Sequence, residues 1–179
     1  IKSILQGTLL ISMDGSYMSD LSQSACSGAF ILHCTESKQE IKGCLVDESH
    51  QADNYRGEFL GALGPLLLLR AAFMANPQVD CSHIKLELYC DNKGVVTHGN
   101  QVDAVLKPDQ VQADLIRLMR TYTRLIPAQL QWIHVHGHSD ANTPLAQLTI
   151  IQQLNVRCDQ LAKWYLVRAI RTGDYIDPT

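Results

Sequence analysis

The sequence predicts an α/β fold, a five-stranded mixed sheet flanked by helices. Three strand-like runs follow one another over the first 46 residues, before any long helical pattern begins. Two further strand-like runs, 84–90 and 129–136, alternate with helical stretches. The resulting order, βββαβα(α)βα, requires a mixed sheet with helices on its faces. No repeat or low-complexity segment interrupts it, and residues 1–179 are expected to form one domain.

Thr8 to Asp14 reads as a buried strand, and Gly15 to Ser24 as a polar turn. Ala25 to Cys34 and Gln39 to Val46 are the next strands, paired as a hairpin through Thr35-Glu36-Ser37-Lys38. From Tyr55 to about Ala75 the pattern is helical and apolar on most faces, as suits a helix packed centrally on a sheet. Pro65 removes a helix hydrogen bond and crowds the carbonyl four residues back. That residue is Gly61, which leaves room, so a kink is expected rather than a stop.

Ile84 to Cys90 is the fourth strand, with Lys85 and Glu87 alternating against Leu86 and Leu88. A short helix is expected after Asp91, and Lys107-Pro108-Asp109 introduces a longer one through Ile126. Gln129 to His136 is the fifth strand, and Gly137 to Leu154 a long connection. Asn155 is read as the N-cap of a final helix running to about Arg171.

Four carboxylates sit at the joints of this order. Asp14 and Asp91 end apolar strands, Glu58 opens the central helix, and Asp159 lies in the expected first turn of the last one. Four acids brought together repel one another unless cations neutralise them. The arrangement points to hard divalent metals and metal-assisted phosphoryl chemistry. Singly, each acid has a plainer reading: a turn former for Asp14 and Asp91, a favourable charge near a helix start for Glu58 and Asp159.

Composition bounds the rest. With 46% hydrophobic and 18% charged residues the chain is that of an ordinary globule, and its net charge of −3 does not mark a basic nucleic-acid binder. The six cysteines never approach a Cys-x-x-Cys spacing and read as small buried hydrophobes, so a reducing, intracellular compartment (cytoplasm or nucleus) is expected. No signal peptide is seen, and Leu66-Leu67-Leu68-Leu69 ends at Arg70, short of a membrane span. The start at Ile1, without Met, suits a domain cut from a longer polypeptide, and a removed tag equally.

Five motifs in sequence resemble those of the type 1 ribonuclease H family: Met13-Asp14-Gly15-Ser16, Asn54-Tyr55-Arg56-Gly57-Glu58, Tyr89-Cys90-Asp91-Asn92, Val135-His136-Gly137-His138-Ser139-Asp140 and Asn155-Val156-Arg157-Cys158-Asp159-Gln160-Leu161-Ala162. Gly57 replaces the usual alanine. The link from Ser139 to Cys158 is longer than in cellular members, and Gly99 to Gln112, with only Lys107 as a base, lacks their basic handle. Cys90-Asp91-Asn92 and Gln153 to Asp159 look more like the ribonuclease H domains of retroelement reverse transcriptases.

The resemblance implies a ribonuclease H-like fold and hydrolysis of the RNA strand of RNA–DNA hybrids by two Mg²⁺, with Mn²⁺ able to substitute. It implies 5′-phosphate and 3′-hydroxyl products, and a polymerase domain in the same polypeptide. Asp14 would bridge both ions, Glu58 and Asp91 complete one shell and Asp159 the other, while His138 moves protons on a loop. Gly15, Ser16, Asn54 and Asn92 are the candidates for reading 2′-hydroxyls in the minor groove.

Alternatives stand beside these roles. Asn54 is equally a helix N-cap, His138 a solvated loop residue, and His134 and His136 satisfied strand residues without the partners that zinc needs. Trp132 and Trp164 read as core, and Asp20, Asp47, Glu48, Asp53, Asp103 and Asp114 as solvated charges. Asp140 is the one further acid with a route to the metals. For the whole chain, the alternatives are a non-catalytic nucleic-acid-binding domain and a strand-transferase or junction nuclease on the same fold.

Overall fold

The computed structural model describes residues 1–173. A short helix, α1 (Lys2–Leu5), precedes strands β1 (Leu9–Tyr17), β2 (Ala25–Cys34) and β3 (Glu40–Glu48). Then follow α2 (Asn54–Met74), β4 (Lys85–Cys90), α3 (Lys93–Asn100), α4 (Ala113–Leu125), β5 (Gln129–His134), two single 3-10 turns, and α5 (Ile150–Thr172). The five strands form one sheet in the order β3-β2-β1-β4-β5. β1, β2 and β3 are antiparallel neighbours, while β4 runs parallel to β1 and β5 parallel to β4.

Strand alternation sorts β1 between the two faces of the sheet. Ile11 and Met13 join the large core built with Phe59, Leu63 and Leu66 of α2. Leu10 faces the other way and packs near Leu154 and Cys158 of α5. The thiol of Cys158 donates to the Ser12 carbonyl, and the Ser27 hydroxyl to the Ala162 carbonyl, fixing α5 on this second face. α2 is long and apolar enough to cross a membrane by length and composition alone. Its fully buried Phe59, Ala62 and Leu66 make it the central core helix instead.

The structure departs from the expected boundaries at several points. β1 does not end at Asp14 but continues to Tyr17, because pairing with β2 runs on to Tyr17 opposite Cys26. Asp14 is therefore a mid-strand residue, and α1 was not anticipated. α2 runs through Pro65 without stopping. Its N-cap is Asp53, which accepts from the Arg56 amide, so Asn54 is the first helical residue and Glu58 lies in the second turn.

Lys107-Pro108-Asp109 does not open α4, since Gln112 in the left-handed region (φ 58°) delays the start to Ala113. β5 stops at His134, two residues early. Asn155 is not a cap: α5 begins at Ile150 on a Thr149–Gln152 capping box, which leaves Asn155 buried and Asp159 in the third turn. Trp132 is core, but Trp164 is 54% exposed, on the outer side of α5.

Candidate metal centre

Backbone contact between α2 and the β1–β2 hairpin places two of the acids. A Cβ on Gly61 would lie 2.7 Å from the Asp14 carbonyl oxygen, and one on Gly57 2.7 Å from that of Ser27. Cβ atoms on Gly15 and Gly28 would overlap the α2 backbone at Glu58 and at Gly61. Only glycine at these four positions allows the helix to ride directly on the strands. Glu58, in the residue after Gly57, is thereby pressed against the Asp14 end of the sheet.

Arg56, itself buried, holds the start of α2 from the other side. Its guanidinium bonds Asp47 at the end of β3, and Gln112 and Asp114 at the start of α4, at 2.8 and 2.9 Å for the latter two. Asp47, Asp53 and Asp114 are thus structural partners rather than the solvated charges expected.

The ligand atoms of Glu58, Cys90 and Asp91 lie within 4.8 Å of one another. Asp14 and Asp159 join them through charge. Burial pushes the Asp14 carboxyl well above its ordinary range, and the charges of Glu58, Asp91 and Asp159 push it further. Glu58 is raised first by burial, then by Asp91 and Asp159. Asp91 is also raised chiefly by burial, against which the His138 imidazole acts. The structure thus brings together all four predicted acids, and His138 with them.

This donor set fits a divalent cation. Glu58 Oε2 and Asp91 Oδ1 are buried and have no hydrogen-bond partner, a costly state for carboxylate oxygens unless a cation sits beside them. Asp14 Oδ1 accepts from the Gly15 amide at 2.7 Å, which orients the carboxylate. Cys90 is fully buried with its thiol raised far above the usual range, which leaves the oxygens as the donors suited to a hard cation.

Other residues hold the acids in place. The His134 ring contacts the Asp91 carbonyl oxygen at 3.0 Å through Nε2, and a Cβ on Gly137 would overlap the Asp91 carboxylate. His138 is exposed and sits in the left-handed region (φ 52°) just before the first 3-10 turn. Lys163 Nζ lies 2.8 Å from Asp159 Oδ2. The sequence reading missed this partner, although spacing of four on a helix signals it.

Of the groove candidates, Asn54 is exposed, and Asn92 is half-buried with its side chain capping α3. Gly15 and Ser16 are buried in β1. Asp140 is exposed and is not among the charges acting on Asp14, Glu58 or Asp91.

No protein-family model matches the chain, and no curated protein matches it in sequence. Solved structures do match it. LC11-RNase H1, in a complex with an RNA/DNA hybrid, is similar over 90% of this chain and 99% of its own, with a TM-score of 0.62 at 12% identity. RNase H1 from the archaeon Halobacterium salinarum covers 90% of this chain and 98% of its own, with a TM-score of 0.55 at 17% identity. A segment amounting to 21% of the prototype foamy virus protease–reverse transcriptase covers 95% of this chain, with a TM-score of 0.54 at 13% identity. Together with the mixed five-stranded sheet and its flanking helices, these likenesses show that the chain has the ribonuclease H fold.

Proposed function

We propose that this domain is an endoribonuclease that cuts the RNA strand of RNA–DNA hybrids, with two Mg²⁺ ions held by Asp14, Glu58, Asp91 and Asp159 and Mn²⁺ able to substitute. The observation that carries the reading is the pair of buried, unpartnered oxygens of Glu58 and Asp91 beside two further carboxylates. A cation pair, when bound, activates the attacking water and stabilises the leaving oxygen.

The chain's own residues do the rest. Asp14, Glu58, Asp91 and Asp159 would hold the ions between them, with Asp14, on which the other three charges act, shared by both. His138, exposed beside Asp91, would give or take a proton at the cleaved phosphate through its ring nitrogens. Asn54 and Asn92 lie nearer the surface than Gly15 and Ser16 and are the better candidates for 2′-hydroxyl contact. Gly15 acts through Asp14, whose carboxylate its amide orients. The products would carry 5′-phosphate and 3′-hydroxyl ends.

The likeness to the reverse-transcriptase segment supports a parent polypeptide with a polymerase domain, which would add grip on the hybrid, and the free cysteines suit the proposed intracellular setting. The test is cleavage of a labelled hybrid with Mg²⁺, beside the same RNA single-stranded, an RNA duplex and a DNA duplex. Cutting confined to the hybrid's RNA strand is expected. No cutting by the folded, metal-loaded protein would favour the non-catalytic binding domain.

A further inference from the structure

Away from the carboxylates, α4 and the 102–106 segment enclose a cleft of about 440 Å³ lined by Arg117, Arg120, Thr121 and Arg124. Arg120 is only 5% exposed. Its Nη1 donates to the Ala104 carbonyl and its Nη2 meets His98 Nδ1 at 3.2 Å, while Nε has no partner. Neither of those contacts brings a negative charge, and among the described residues no carboxylate pairs with Arg120. Among the described residues the one acid lining the cleft, Asp103, is bonded to Arg124 at 3.0 Å. Three guanidinium groups therefore face one carboxylate, in a chain whose net charge is −3.

A buried cation without a paired anion is costly, because burial removes its hydration and neutral partners replace only part of it. Arg124 adds like charge beside it, and Asp103, the one acid that acts on Arg120, is already bonded to Arg124. We infer that the missing counter-charge is external, and that this cleft binds a phosphodiester group of the nucleic-acid strand. Guanidinium groups suit that ligand, since their forked donors match phosphate oxygens. Thr121 adds a hydroxyl at the rim.

The nucleic-acid identity of the ligand rests on the hybrid reading; the need for an anion does not. α3 joins the two sites. It leaves Asp91 through Asn92 at its N-terminus and brings His98 to Arg120 near its other end. Eight residues of helix span about 12 Å. That length matches three or four nucleotides of a strand at roughly 3.4 Å each. The cleft would thus hold the duplex a few nucleotides from the cut.

Two measurements on the whole chain test this. Inorganic phosphate is titrated while the arginine side-chain NMR signals are followed, in the wild type and in the Arg117→Ala/Arg124→Ala variant, whose replaced residues are exposed. Hybrid binding is then measured with Ca²⁺ in place of Mg²⁺ as a function of salt. We expect saturable phosphate shifts at Arg120 that vanish in the variant, hybrid binding weakened five- to tenfold, and a salt slope lower by about one. Equal hybrid affinity and salt slope in the two proteins would overturn the proposal. Saturable phosphate binding by a wild type that binds no hybrid would instead overturn the hybrid reading and the phosphodiester assignment, leaving a site for a free anion.

Discussion

Gly61 lies directly against the backbone of Asp14, so close that a Cβ would sit 2.7 Å from the carbonyl oxygen. The carboxylate cluster depends on this contact, because it sets how near α2 rides to β1. A methyl group there must push the helix off the strand, since its neighbour is backbone and not a flexible side chain. Gly61→Ala should cost about 2–3 kcal/mol, a fall in Tm of roughly 5–10 °C, and should lower Mg²⁺-dependent cleavage. Thermal unfolding checks the first part. An unchanged Tm would mean that the two backbones are not in contact.

Asp14 is buried among like charges, and an uncompensated carboxylate there opposes folding when no cation is present. Asp14→Asn keeps the shape and removes the charge. In EDTA the variant should unfold several degrees above the wild type, and Mg²⁺ should stabilise it far less. Calorimetry in both buffers measures this. A variant less stable than wild type in EDTA would show that Asp14 is held by partners rather than repelled.

Lys163 competes for Asp159. A half-exposed pair four residues apart is worth only about 0.3–0.5 kcal/mol. Lys163→Ala should therefore leave stability nearly unchanged and lower the Mg²⁺ concentration for half-maximal cleavage about twofold. A raised Mg²⁺ requirement would mean that the lysine assists the site.

Glu40 gathers three basic groups, with Arg157 Nη1 at 2.7 Å, His33 Nδ1 at 2.9 Å and Lys42 Nζ at 3.2 Å. The Arg157 hydrogen bond is the main cause holding its carboxyl down to about 2, against an ordinary 4.5. A carboxylate lowered in the fold stabilises it above the ordinary value and loses that contribution as the pH falls towards the lowered one. The stability gap between wild type and Arg157→Met should be full above about pH 5 and should close as the pH falls from about 4.5 to 2. A gap independent of pH would show that Arg157 acts through packing.

The strands and the four clustered acids were legible because they depend on local pattern. β2 is a largely apolar run, and its predicted bounds match the structure. The start of α5 was missed for a local reason too: Asn155 is a good cap residue by type, but the Thr149–Gln152 box lies upstream and wins. Trp164 was misplaced because size suggested core, whereas the buried stripe of α5 runs through Leu154, Cys158, Ala162 and Leu166. What no local pattern shows is pairing across the chain. Arg56 meets Asp114 58 residues later, and Glu40 meets Arg157 117 residues later. Both pairings exist only once the sheet has formed.

The most direct test of the central claim is the rate of hybrid cleavage against Mg²⁺ concentration for the wild type and Asp91→Asn. Asp91 supplies one of the two buried, unpartnered oxygens, and the substitution keeps its shape while removing its charge. The wild type should show a saturable Mg²⁺ requirement and no cutting in EDTA, and the folded variant a rate about a hundred- to a thousandfold lower, the scale of one lost electrostatic group. Wild-type cutting in EDTA, or an Asp91→Asn variant cutting at the wild-type rate, would contradict it.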